Sequence, residues 1–544
     1  MSVNVADAAP RRIAWFAVGP LDLVRRRPAV LTALLCAAML ALDVRGPDLP
    51  AQNYRVWLLR HHGLVVFDSH WYAGHTLPGY SMLFPPLAAV LGARLVGSLA
   101  CVAATAALTR LVRRGSDHGH DVALLWFAVV VTINLAVGRL PFVLGFAAGI
   151  GALVAAREGR IVWAGVLAFA TSASSPLAGA FLLLAALAWA TTAGWRIVRP
   201  LSFAAVGIAA AQAFGEEGRF PFSAMDLFAI LATVVIGLVV LPRERVLVRR
   251  FLALYGVASV VLYLVPNPIG GNMERLAALL VGPVAAYEVL SLRRFWRVLL
   301  TVGAVPLLAW QLAPIPDVVT STTSTSAHSS YYAGLVRYLS THGGAAGRIE
   351  VPLTASRWET DYLATRFALA RGWERQVDLG RNSVLYDKHL SAPTYLDWLH
   401  DNAVRWVALP DVPLDASETG EERLLAAAAR MPFLEPVWHD AHWQLWAVRD
   451  PTSLVTGPAT LVSLDVSSFT LRATGAGTAI VLVRWTRFWD VASGSACVRP
   501  SPDGWTEVVL IGPGDVTVSA DVDPSRLVGG GGGGSCSQGL TLPK

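Results

Sequence analysis

Residues 28–46 read PAVLTALLCAAMLALDVRG, and their only charges, Asp43 and Arg45, stand at the far end. About 20 residues of this polarity are what a helix needs to cross a hydrocarbon core. Further apolar runs follow at 87–110, 121–137, 140–156, 161–175, 177–193, 200–214, 225–241, 251–266, 275–291 and 296–313. Composition agrees: 54% hydrophobic residues, 15% charged residues and a mean hydropathy of +0.50 exclude a soluble enzyme of 544 residues. The expected fold class is a mainly α polytopic membrane protein of about eleven spans.

Arginine sets the expected orientation. Arg11, Arg12, Arg25 to Arg27, Arg110, Arg113, Arg114, Arg157, Arg160, Arg196, Arg199, Arg243, Arg245, Arg249, Arg250, Arg293, Arg294 and Arg297 fall in alternate connections. Those connections are cytoplasmic by the positive-inside rule. An odd number of spans from a cytoplasmic N-terminus (1–27) then puts residues 43–86 and everything after 313 on the far side of the cytoplasmic membrane. The formal net charge of +6 comes from these arginines beside anionic head groups, so it implies a lipid bilayer as partner and no nucleic acid. The first span lacks an Ala-x-Ala cleavage site and reads as a retained anchor. Lysine is confined to Lys388 and Lys544, a bias of high-GC bacterial coding.

The chain after 313 divides by texture. Residues 314–330, rich in Thr and Ser, read as a linker leading into a mixed α/β unit, the whole covering 314–448. From 449 to 528 short β-prone runs (459–466, 468–473, 478–485, 507–511) alternate with Gly, Ser and Pro and suggest a β-sandwich. Residues 529–544 open with a glycine run and read as a flexible tail. Cys36 and Cys101 fall within spans, where a thiol is ordinary packing. Cys497 and Cys536 are open to disulfide pairing on an oxidising exterior, and sequence alone leaves the bridge unsettled. No Cys/His cluster has zinc spacing.

The segment behind the first span concentrates chemistry: Asp43, Asp48, Gln52, Tyr54 and Arg55, then Asp68, His70, Trp71, Tyr72 and His75, then Tyr80. Its aromatic residues, Trp57, Trp71, Tyr72 and Tyr80, suit either an interfacial belt or the walls of a cleft. The carboxylates and histidines among them favour function, because charges at membrane depth are costly. Candidate phosphate ligands on the same side are Arg139, Arg219 and Arg275, the last beside Asn272 and behind the glycine pair 270–271. Taken singly, each of these arginines is more often an interface snorkeler. In the tail, Arg357-Trp358-Glu359, the 370–376 stretch around Trp373, and Tyr395 to Trp398 are candidates for gripping an acceptor glycan, against the plainer reading of Trp as core filler.

The order Asp48-Leu-Pro-Ala-Gln52-Asn-Tyr54, Trp71-Tyr72-Ala-Gly74-His75 and Gly79-Tyr80-Ser-Met-Leu-Phe84-Pro85-Pro86 resembles the first external loop of GT-C superfamily glycosyltransferases. More narrowly it is similar to actinobacterial membrane proteins that carry a 6-pyruvoyl-tetrahydropterin synthase-related label, although no pterin chemistry is visible. The likeness covers 28–313. It implies transfer of a sugar, of the arabinofuranose or mannose class, from a polyprenyl-phosphate donor to a cell-envelope glycan or glycolipid acceptor outside the membrane. It puts the family's loop acid on Asp48 as general base, with Asp43 as rival, and gives Asp68 and His70 a positioning role. One displacement inverts the anomeric centre and needs no enzyme nucleophile. A divalent cation on Asp43, Asp48 and Asp68 stays open. The competing classes are a lipid-linked glycan transporter, which would carry ionisable groups at mid-membrane depth, and a non-catalytic glycan-binding scaffold. An acyltransferase lacks a serine nucleophile motif here.

Overall fold

The computed structural model describes residues 27–112, 118–214, 218–289, 294–520 and 536. The cytoplasmic N-terminus expected at 1–27, apart from Arg27, and the glycine run at 529–534 lie outside the described residues. Helices form where the apolar runs stand: α1 (Pro28–Ala41), then α2 (Leu49–His62) and α3 (Phe84–Leu91) within the 43–91 region, α4 (Ala93–Val112), α5 (His118–Val137), α6 (Leu140–Arg157), α7 (Ile161–Ser174), α8 (Pro176–Ala193), α9 (Phe203–Gln212), α10 (Ala224–Val240), α11 (Val246–Leu264), α12 (Glu274–Val289) and α13 (Arg294–Leu312). Five helices are long and apolar enough to cross a membrane: α4, α6, α8, α11 and the stretch Val302–Thr323. The chain is therefore a helical membrane protein with a strand-rich C-terminal region.

Several runs behave differently from their composition. The run 87–110 is two helices, because Gly92 takes a left-handed φ of 89° and breaks α3 from α4. α9 has 10 residues. At a rise of 1.5 Å per residue it reaches about 15 Å, half the hydrocarbon thickness. Residues 314–330 are not a linker. α14 (Ile315–Thr323) continues the direction of α13, and its Ser321 hydroxyl donates to the Arg45 carbonyl at 2.7 Å while Thr322 accepts from the Arg45 amide at 3.0 Å. These bonds dock the helix onto the end of the first span and outweigh the loop preference of its Thr and Ser residues.

α6 sits deepest, and small residues explain why. A Cβ on Gly145 would lie 2.8 Å from the Thr171 carbonyl, so α7 approaches α6 at backbone distance. At the same end of α7, Ser175 caps α8 by accepting from the Ala178 amide.

The C-terminal region has two parts. In the first, a four-stranded sheet runs in the order β3-β4-β6-β5 (Arg348–Glu350, Val404–Pro410, Trp443–Val448, Leu434–His439), with β3 parallel to β4 and the other pairs antiparallel. In the second, two four-stranded sheets face one another: β7, β10, β12 and β13 (Val455–Thr456, Gly477–Arg484, Ala496–Pro500, Trp505–Leu510) against β8, β9, β11 and β14 (Ala459–Asp465, Ser468–Ala473, Trp489–Ser493, Gly514–Ala520). Alternate residues such as Ala479, Val481 and Val483 on β10 and Val516, Val518 and Ala520 on β14 turn into the shared core, as a sandwich requires. Cys497 on β12 is bonded to Cys536, which ties the end of the chain to the sandwich. Cys36 and Cys101 are free and buried.

The 43–86 segment is a structured wedge. It carries α2 and the short hairpin β1/β2 (Phe67–Asp68, His75–Thr76) and joins both parts of the C-terminal region. The Ser69 amide donates to the Val466 carbonyl at 2.7 Å, the Leu369 amide to the His70 carbonyl at 2.8 Å, and the Arg484 amide to the Ala73 carbonyl at 2.7 Å.

Candidate functional site

A cavity of about 250 Å³ opens between the helix bundle and the α/β domain, lined by Asp48, Arg139, Phe220, Pro221, Asp226, Gly271, Asn272, Glu274, Arg275, Arg357, Trp373, Arg375 and Gln376. Drug-sized ligands occupy about 300–1,000 Å³. This volume therefore suits one small polar head group and is too small for an extended glycan.

Each wall is set by local backbone chemistry. Asp48 precedes α2, and its amide donates to the Val137 carbonyl at 2.9 Å. That approach requires glycine: Gly138 has φ 98°, and a Cβ there would sit 2.4 Å from the Leu49 nitrogen. The next residue, Arg139, brings its Nε to 3.4 Å from Asp48 Oδ2. On a second wall Gly270 takes φ 47° and the Gly271 amide donates to the Pro221 carbonyl at 2.9 Å, which starts α12 with Glu274 and Arg275 facing the hollow. Asp226 belongs to the capping box of α10, accepting from the Ser223 amide at 3.3 Å while Ser223 Oγ accepts from its own amide at 3.0 Å.

The third wall comes from the α/β domain. Arg357, itself in a left-handed conformation (φ 58°), donates from Nη2 to Asp415 Oδ2 at 2.7 Å, and Arg375 Nη2 donates to both Asp415 oxygens at 2.9 Å. Burial works against the Asp415 charge, but the two guanidiniums and Ser417 hold its carboxyl far below the usual carboxylate range. Trp373 is turned by an Nε1 bond to the Pro47 carbonyl at 3.2 Å and meets Tyr80 edge to face at 6.0 Å.

Among the residues expected from sequence, the cavity gathers Asp48, Arg139, Asn272 and Arg275. It also takes in Arg357, Trp373, Arg375 and Gln376 from the stretches read as acceptor-gripping, and leaves out the other loop candidates. Asp43 is paired with Arg45 and Arg94, each at 2.6 Å, and is 45% exposed. Arg219 is exposed and outside the lining. Gln52 is fully buried within α2, and its two side-chain polar atoms have no partner among the described residues.

Tyr54, Asp68, His70, Trp71, Tyr72 and His75 form a buried strut and not a cleft lining or a solvated turn. Tyr54 donates to Asp68 Oδ1 at 3.1 Å and stacks on Trp71 at 4.6 Å. His70 Nδ1 donates to the Ala364 carbonyl at 2.6 Å, Trp71 Nε1 to the Thr360 carbonyl at 3.0 Å, and Tyr72 to the Glu374 carbonyl at 3.0 Å. Burial, opposed by bonds from the His70 amide and the Tyr54 hydroxyl, pushes the Asp68 carboxyl up to about 7. Burial, helped by Arg55 nearby, depresses the His75 imidazole well below its ordinary value and keeps it neutral. Tyr80 stands just behind the wall with the Arg55 guanidinium 4.0 Å over its ring, and Arg55 is ion-paired with buried Glu374.

Among the described residues no three His, Cys, Asp or Glu side chains converge as a metal site, so Asp43, Asp48 and Asp68 do not make the oxygen cage considered from sequence. Sequence reasoning passed over Asp226 and Glu274. It had noticed Arg357, Trp373 and Arg375 only as acceptor-gripping candidates. Trp358 and Trp398 of the same motifs are core residues. The chain matches no protein-family model and no curated protein.

Proposed function

We propose that the chain is a membrane glycosyltransferase of the GT-C kind, with about eleven spans, moving a sugar from a polyprenyl-phosphate donor to a cell-envelope glycan or glycolipid on the extracytoplasmic face. One observation carries the reading: the carboxylate singled out by resemblance, Asp48, lies in a head-group-sized hollow together with two of the arginines singled out for phosphate, Arg139 and Arg275. In this reading the acceptor hydroxyl attacks the anomeric carbon as Asp48 takes its proton. The bond from that carbon to the phosphate oxygen breaks, and the lipid phosphate departs with the electron pair. Arg139 and Arg275 meet the charge as it develops, when their hold is worth most. Arg139 also aims the Asp48 carboxylate through their 3.4 Å contact.

The test is Asp48→Asn in the producing strain, with lipid-extract mass spectrometry and cell-wall linkage analysis. Accumulated lipid-linked sugar and loss of one linkage are expected. An unaltered glycan profile at normal protein level rejects the assignment.

A further inference from the structure

The reading above gives the α/β domain no part in holding the donor, yet two guanidiniums enter the cavity from that domain. Arg357 and Arg375 share one carboxylate, Asp415, which is fixed in turn by the Ser417 hydroxyl at 2.7 Å and amide at 3.0 Å. Two cations on one anion leave a positive charge unspent, and the sharing presets the two side chains before any ligand arrives.

The rest of the cavity's charge can be followed group by group. Arg139 is matched by Asp48. The Asp226 carboxylate accepts from the Ser223 amide at the start of α10, a neutral donor that leaves its charge in place. Arg275 rests over the Phe142 ring at 5.7 Å and has no ion pair among the described residues, and the same holds for its neighbour Glu274. With Arg275 set against Glu274, the four arginines of the cavity are matched in number by four carboxylates once Asp226 and Asp415 are counted, and the surplus of one positive charge is local to the Arg357–Arg375–Asp415 group. A phosphodiester carries one negative charge. The ring of Trp373 adds an apolar surface beside these donors, bounded by the bond that fixes its indole to Pro47.

We infer that Arg357 and Arg375, preset by Asp415, close the cavity as an anion clamp opposite Arg275 for the singly charged phosphodiester of a lipid-linked sugar. The C-terminal α/β domain is then a wall of the donor site. This rests on the transferase reading, since that reading supplies the donor.

The test uses the full chain in lipid nanodiscs and four probes: farnesyl methyl phosphodiester, farnesyl monophosphate, farnesol and inorganic phosphate. Tryptophan quenching reports binding, and a melting curve reports folding. The wild type is expected to bind the phosphodiester at least tenfold more tightly than farnesol or inorganic phosphate. Arg357→Gln and Arg375→Gln are each expected to weaken it about tenfold or more, the scale of a lost charge-assisted hydrogen bond. Arg357→Lys and Arg375→Lys keep the charge for Asp415 but lose the planar fork, so they are expected to melt like the wild type and still bind less well.

Lysine variants that fold and bind like the wild type, beside an Arg275→Gln variant that does not bind, overturn the clamp and leave the transferase reading standing. Inorganic phosphate binding as tightly as the lipid phosphodiester overturns the lipid source in favour of a free-phosphate site. A wild type that does not distinguish phosphodiester from farnesol overturns the clamp and the donor reading together.

Discussion

Arg371 offers the sharpest test of how the cavity wall is held. It is 2% exposed and lies among four carboxylates: Asp378 at 2.6 Å, Glu418 at 2.5 Å, Glu421 at 3.4 Å and Glu350 at 3.8 Å. All four are fully or almost fully buried, and Tyr386, Tyr395 and Asn382 supply only neutral donors to Asp378 and Glu421. Arg371→Met keeps most of the side-chain volume and removes the cation. Stripping one partner from a buried ion pair costs roughly 3–5 kcal/mol. For a folding unit of this size that is a melting-temperature loss of roughly 6–20 °C.

Acidity adds a second signature. Burial, eased by Arg371 and worsened by Glu418, raises the Glu421 carboxyl to about 8, and Glu350 is raised too. A carboxyl raised on folding stabilises below its unfolded value and loses that contribution as pH climbs through its folded value. The wild type should therefore melt lower as pH rises from about 5 to about 8, and Glu421→Gln should flatten the slope. The Arg371→Met deficit should be larger at the upper end of that range, where more of the carboxylates are charged. The assay is intrinsic tryptophan fluorescence during heating of the detergent-solubilised protein at both pH values. An Arg371→Met protein that melts like the wild type at the higher pH refutes the view that this arginine neutralises the cluster.

Three further outcomes are expected. Gly138→Ala forces a φ of 98° on an L-residue and drives a Cβ to 2.4 Å from the Leu49 nitrogen; it should destabilise by more than the roughly 1–2 kcal/mol of the left-handed conformation alone, which a melt would show, and under the proposed function it should also change the cell-wall linkage profile. Cys497→Ser opens a bridge across 39 residues; loop-closure entropy puts its contribution at roughly 4 kcal/mol, read as a lower melt that reductant no longer changes. Arg55→Met leaves Glu374 without its ion-pair partner; a loss of roughly 3–5 kcal/mol is expected by the same melt, partly recovered by adding Glu374→Gln.

Most of the helices were legible because long, mainly apolar runs admit few other fates, five of them being long and apolar enough to cross a membrane, and the β-prone runs near 459–511 were legible because alternation along β9 and β10 survives in the sequence. α2 was not. Its sequence, LPAQNYRVWLLRHH, mixes charge and aromatics without a clean apolar stripe, since the partners that bury it, such as Glu374 on Arg55 and Asp68 on Tyr54, lie outside the helix. The same distance hid half of the site. Asp48 and Arg275 could be suspected from what surrounds them in the chain, whereas Arg357 and Arg375 acquire meaning only through Asp415, which no local pattern connects to them. Arg219 shows the reverse error: set between Gly218 and Phe220 it was as suggestive as Arg275, yet it ends exposed.

The hollow is closed by residues that a ribosome delivers far apart in time: Asp48 first, Arg139 next, Arg275 well after, and Arg375 only when the α/β domain is under way. A nascent chain that has inserted its helices but not yet made that domain exposes Arg275 and Glu274 in a trench with one side missing. Premature termination before Arg375 thus yields a membrane-embedded product lacking its closing wall. Such a fragment would keep Asp48, Arg139 and Arg275 in the bilayer while lacking the Arg357–Arg375 pair that Asp415 holds together.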